Sequence, residues 1–144
     1  MAIEACKNAI ANSEIVVKEI GLVIVASFSQ DYLFPPMSAK IHSYFGLIKD
    51  CQILDINTNC VGLVTALTVA SERMKCDTSI KKALVIGAEV LSKYTNPKDK
   101  ETAVFFSDGA SAVILGRFYE SIGFRSAKFI TDSSTYESVR MRGG

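Results

Sequence analysis

Three short apolar runs constrain the fold of this chain more than any other feature. "GLVIVAS" from Gly21, "CQILDI" from Cys51 and "KKALVIGAEV" from Lys81 are too short and too rich in β-branched residues to be helices, so each reads as a strand. Between the first two lies "FPPMSAKIHSYFGL", where Pro35 and Pro36 signal a helix start, Ile41, Tyr44 and Phe45 form an apolar side, and Gly46 signals a stop. Between the second and third lies "CVGLVTALTVASERMK", a longer helix. Alternation of this kind predicts an α/β domain with a largely parallel sheet covered by helices.

The flanking segments extend the pattern. Residues from about 2 to 12 place Ile3, Cys6, Ala9 and Ile10 on one helical face. "GASAVILGRF" reads as a fourth strand, and the alternating "GFRSAKFI" as a fifth. "YTNPKDKET" reads as a loop or short helix and "TDSSTYESVRMRGG" as a loop-like tail, with no internal repeat and no low-complexity segment.

At 144 residues one domain is expected, and domains of that size bury roughly 70% of the surface of their unfolded chains. Sixteen Lys and Arg stand against 15 Asp and Glu, a formal charge of +1, which gives no electrostatic reason to expect nucleic acid or an anionic membrane as partner. The longest apolar stretch, Ile20 to Phe28, is far below the roughly 20 residues of a bilayer-spanning helix. The first residues carry an acid and no basic leader, which points to the cytoplasm. Cys6, Cys51, Cys60 and Cys76 are irregularly spaced, form no C-x-x-C pair and have one histidine for company, so neither a metal site nor a cofactor is expected.

Cys60 stands apart from the other three. It follows the strand "ILDI" by a few polar residues, and Asn57, Thr58 and Asn59 are turn formers that would end that strand just before the long helix. At a helix start, free amide groups and the helix dipole favour the anionic, nucleophilic form of a thiol. Gly62 would allow another chain or an acyl group to approach closely. A small buried hydrophobe in a core is the competing reading. The one histidine, His42, falls within the short second helix, which makes it a surface or interface residue and a poor partner for Cys60.

Two features suggest half of a larger structure. The first helix begins almost at Met1 with no capping residue or preceding strand. The helix after Cys60 is apolar nearly all round, with Val61, Leu63, Val64, Ala66, Leu67, Val69 and Ala70 covering every face, and such a helix is normally covered by protein on both sides. An oligomer, homomeric or heteromeric, is therefore expected.

Taken together, "DYLFPPMSAKIHSYFGL", "ILDINTNCVGLVTALTVA" and "KKALVIGAEVLSKYTNPKDKETAVFFSDGASAVIL" resemble the N-terminal half of β-ketoacyl-[acyl-carrier-protein] synthase III, and the likeness runs from about Ala2 to the final "RGG". The resemblance implies that residues 1–144 form a partial N-terminal thiolase-like domain, one half of a fold in which two similar α/β halves are layered around the nucleophile's helix. It implies that Cys60 accepts an acyl group from acyl-CoA and passes it to a carbanion made by decarboxylating malonyl-[acyl-carrier-protein], in fatty-acid or related biosynthesis. Phe34 matches a phenylalanine that reaches across a dimer interface to close the partner's acyl pocket; the alternative for Phe34 is a core aromatic.

The resemblance also implies what this stretch lacks. The family's opening strand, expected inside the sheet, its first helix, and the Trp and Arg that hold the CoA nucleotide would precede Met1; a catalytic His and Asn would follow the last residue. Alone, the chain is therefore expected not to complete a condensation. Lys100 in "DKET" stands where the family often has an Arg near the adenine, a weak candidate for a CoA contact. Ser107 and Ser111 replace glycines and are expected to tighten a backbone packing site. The other readings are a non-catalytic interaction subunit of a heteromeric condensing enzyme, and another acyltransferase of the thiolase superfamily.

Overall fold

The computed structural model describes residues 1–118, 122–138 and 140; the last four residues of the tail lie outside them. The elements run α1 (Ala2–Ala11), β1 (Ile20–Ala26), α2 (Met37–Phe45), β2 (Gln52–Ile56), α3 (Gly62–Cys76), β3 (Lys82–Val90), α4 (Lys100–Ala103) and β4 (Asp108–Gly116). The strands form one sheet in the order β2-β1-β3-β4. β1 pairs parallel with both β2 and β3, and β4 closes the sheet antiparallel to β3. Among the described residues no helix is long and apolar enough to cross a membrane.

Strand alternation divides the core into two faces. Val23 and Val25 of β1 and Leu84, Ile86 and Ala88 of β3 point to the side covered by α1 and α2, where they pack with Cys6, Ile41, Leu47 and Cys51. Leu22, Ile24 and Ala26 of β1, with Ala83 and Val85 of β3, point to the side covered by α3, where they meet Ala66, Ala70 and Met74. Both central strands are therefore buried on both faces, which is why their sequences read as continuous apolar runs. Each fully buried Val, Leu or Ile contributes about 1.5–3 kcal/mol, so the two faces together hold the layers on the sheet.

The helix boundaries follow the local chemistry. α2 starts after Pro36 and stops at Gly46, whose φ of 57° is the left-handed cap that glycine adopts at no steric cost. Pro36 offers no capping side chain; the cap comes instead from β2, where the Asp55 carboxylate accepts the backbone N–H groups of Met37 at 2.6 Å and Ser38 at 2.9 Å. At the far end of α3, Arg117 donates to the carbonyls of Ile80 at 3.1 Å and Asp77 at 2.8 Å, and also to that of Met74. Carbonyls at and just beyond the helix end thus gain a partner from the strand β4 leaves behind.

Two sequence expectations are corrected. "GFRSAKFI" forms no fifth strand: among the described residues the sheet has four. There Phe124 instead gives its carbonyl to the Lys75 ammonium at 3.2 Å and its ring to the same group at 4.9 Å, while Phe129 and Ile130 are exposed. Alternation selects a face for a strand but does not supply a neighbouring strand to pair with. Nor does the sheet carry an interior gap, since β2, β1, β3 and β4 are paired without interruption and the unpaired edges are those of β2 and β4.

Candidate active site around Cys60

The chain leaves β2 at Ile56 and reaches α3 through a single 3-10 turn, Asn59–Val61. Asn59 has φ of 51°, a left-handed conformation that asparagine tolerates better than a branched residue. Cys60 is the middle residue of that turn and precedes Val61, the cap of α3, so it sits just ahead of the helix and does not open it. Its side chain is exposed, so it is not part of the core of this chain.

The position of the turn is set by a close approach. A Cβ on Gly62 would lie 3.1 Å from the Ala26 Cβ at the end of β1, a tight contact, so the missing side chain lets the first residue of α3 rest closely on the strand. Gly62 is buried against the sheet and also lines the space beside Cys60. The opening begins there. A depression of about 420 Å³ is lined by Cys60, Leu63, Phe28, Leu91, Ala110 and Ser111, among others, at the carboxyl ends of the parallel strands. Ligands of open α/β sheets characteristically bind at such ends.

The floor beneath Cys60 is tied together by one carboxylate. Glu89, near the end of β3, accepts the Phe28 N–H at 3.1 Å and the Ser29 hydroxyl, and that hydroxyl accepts the Val90 N–H at 2.8 Å. The turn after β1 is thereby fastened to β3. Sequence reasoning gave Glu89 and Phe28 no role; a lone acid in an apolar strand run was the available signal. A parallel tie lies one strand over, where Asp108 at the start of β4 accepts the Ser92 N–H at 2.9 Å and its hydroxyl at 2.6 Å, and the Ser92 hydroxyl foremost holds the Asp108 carboxyl below its ordinary range.

The other candidates are distributed as follows. Phe34 is 85% exposed and Leu33 90%, in a loop that also carries the cis Phe34–Pro35 peptide, so neither belongs to the core of this chain. His42 bonds the Ile48 carbonyl at 3.0 Å and does not line the Cys60 depression. Lys100 is exposed at the start of α4, behind its cap Asp99, and does not line it either. Ser107 and Ser111 are both exposed, and Ser111 lines the depression. Cys6 and Cys51 are buried, and burial pushes both thiols up to about 11.

α3 is dry on one side only. Ala66 and Ala70 are fully buried against the sheet, whereas Val61 and Val64 are 59% and 64% exposed. On β4, Ser111 and Val113 are likewise exposed.

A mixed sheet of this order, with a cysteine presented between strand and central helix, defines one half of a thiolase-like fold. The comparisons narrow it further. The sequence profile of 3-oxoacyl-[acyl-carrier-protein (ACP)] synthase III matches residues 54–133, and the chain belongs to that family. It is 44% identical over 115 residues to the β-ketoacyl-[acyl-carrier-protein] synthase III of Pasteurella multocida, an alignment covering 80% of this chain and 36% of that protein. The enzyme of the same name from Enterobacter sp. is 38% identical, with 98% of this chain and 44% of that protein covered. Among solved structures, the synthase III of Thermus thermophilus superposes with a TM-score of 0.79 at 34% identity, covering 87% of this chain and 38% of that one. The chain thus spans less than half the length of each of these relatives.

Proposed function

We propose that this chain is the nucleophile-bearing portion of a synthase III-type condensing enzyme, and that Cys60 is its acyl acceptor. The observation that carries the reading is the exposed Cys60 thiol on the rim of an apolar depression, held there by the Gly62–Ala26 contact. In the first half-reaction the Cys60 sulfur, as thiolate, attacks the thioester carbonyl of acyl-CoA; the carbonyl carbon–sulfur bond to CoA breaks, and the CoA thiolate leaves and takes up a proton. In the second, malonyl-[acyl-carrier-protein] loses CO2, its carbanion attacks the new thioester carbonyl, and Cys60 leaves as the thiolate.

The second step needs groups that stabilise the enolate. His42 is occupied by the Ile48 carbonyl, so those groups come from outside the described depression. The bare flank of α3 at Val61 and Val64 is where a further layer of protein fits. The exposed Tyr32, Leu33 and Phe34 support a second subunit packing on their loop, with Phe34 closing its pocket.

Incubation with acyl-CoA followed by intact-mass measurement tests the reading. An adduct that disappears in Cys60→Ser supports it. No adduct, even after addition of the remaining portion of a synthase III, would leave the chain a non-catalytic interaction subunit.

A further inference from the structure

The depression beside Cys60 has one aromatic wall. Phe28 lies in the turn immediately after β1 and lines the same space as Leu63, Leu91 and Ala110. Its backbone is not free to drift, because its N–H is held by Glu89, which also takes the Ser29 hydroxyl, while that hydroxyl takes the Val90 N–H. Three bonds across about sixty residues of sequence thus fix the one aromatic residue of the lining.

We infer that Phe28 sets the size of the acyl group Cys60 accepts, and that Glu89 is the positioning residue that holds it there. This rests on the reading of Cys60 as acyl acceptor. A rigid aromatic wall rejects chains that extend into its own volume, and each methylene that fits or fails to fit an apolar pocket changes acceptance by about tenfold or more. Phe28 therefore acts on the length of the chain, not on the reactivity of the sulfur. Glu89 acts through Phe28, since its carboxylate is consumed by the Phe28 and Ser29 donors.

The test reads the wall without requiring CoA recognition. The full chain is treated with methyl, butyl and octyl methanethiosulfonate, and the rate of mixed-disulfide formation at each cysteine is followed by peptide mass. Cys76 is exposed at the other end of α3 and reports intrinsic reagent reactivity and any general loosening of the fold. The octyl-to-methyl rate ratio at Cys60, divided by that at Cys76, should rise at least about tenfold in Phe28→Ala and fall in Phe28→Trp. Glu89→Gln should shift it in the same direction as Phe28→Ala, and Glu89→Asp should restore part of the difference. A ratio unmoved by both Phe28 substitutions overturns the inference. So does a change that appears equally at Cys76, which would mark unfolding as its source. Absence of a Cys60 adduct from acyl-CoA, with the Phe28-dependent ratio intact, would instead overturn the acyl-acceptor reading and leave the wall standing.

Discussion

The carboxylate of Asp55 accepts the backbone N–H of Ser38 at 2.9 Å, so the strand that delivers Cys60 also caps the helix that follows Phe34. The two candidate site elements therefore share one anchor. Asp55→Ala should remove the cap and leave the first amides of α2 without a partner, at a cost of about 1–2 kcal/mol in urea unfolding. Asp55→Asn should lose less, because its single carbonyl oxygen still accepts one of the two bonds.

Gly62→Ala should be costly despite adding one methyl group. The new Cβ meets Ala26 at 3.1 Å, and neither partner is the far end of a flexible chain. Overpacking of this kind costs about 1–3 kcal/mol, measured by denaturant midpoint. Because the strain falls on the turn carrying Cys60, the alkylation rate of that thiol should change while that of Cys76 stays constant; equal change at both would mean the contact is not local.

Thiol chemistry should sort the four cysteines by pH. Near pH 8, only Cys60 and Cys76 should react with a thiol reagent in the native chain, since Cys6 and Cys51 are buried with thiols pushed up to about 11. The linkage has a definite sign: the folded state holds these two protons more tightly than the unfolded state, whose thiols titrate near 9.0. Their contribution to stability is complete below pH 9 and is lost as pH rises toward about 11. A chain whose stability rose over that interval would contradict the burial of both thiols.

Phe34→Ala should leave the folding free energy within about 0.5 kcal/mol of the parent, because an exposed ring contributes little packing. Its effect should fall on self-association, read by sedimentation over a range of concentrations. Unchanged association would remove the proposed subunit contact at this loop without touching the assignment of Cys60.

Arg117→Ala should destabilise by about 1–3 kcal/mol, since the carbonyls at the end of α3 lose charge-assisted donors. Arg117→Lys should recover only part of this, because one ammonium cannot reproduce a planar fork that serves Ile80 and Asp77 together. Chemical denaturation of the three proteins checks the order.

Much of this was legible in the residues. The continuous apolar runs at β1 and β3 announced strands buried on both faces, and Pro36 and Gly46 marked the ends of α2 where they fall. The polar "NTN" before Cys60 marked the turn, and the left-handed Asn59 lies within it. What stayed hidden depended on distant partners. Gly62 looked permissive, and what its sequence hid was the close approach to Ala26, a neighbour in space contributed by another strand. Glu89 and Asp55 were given no role from sequence, because the amides they accept are brought to them only by the fold. "GFRSAKFI" had the rhythm of a strand but no strand to lie beside.

The exposure of Val61 and Val64 bears on the lifetime of chemistry at the neighbouring sulfur. If Cys60 is the acyl acceptor proposed, a thioester formed on a wet rim would meet solvent continuously, and hydrolysis would drain it before a slow second substrate arrived. On the proposed reading, protein covering that flank of α3 would shelter a labile bond as well as supply further side chains.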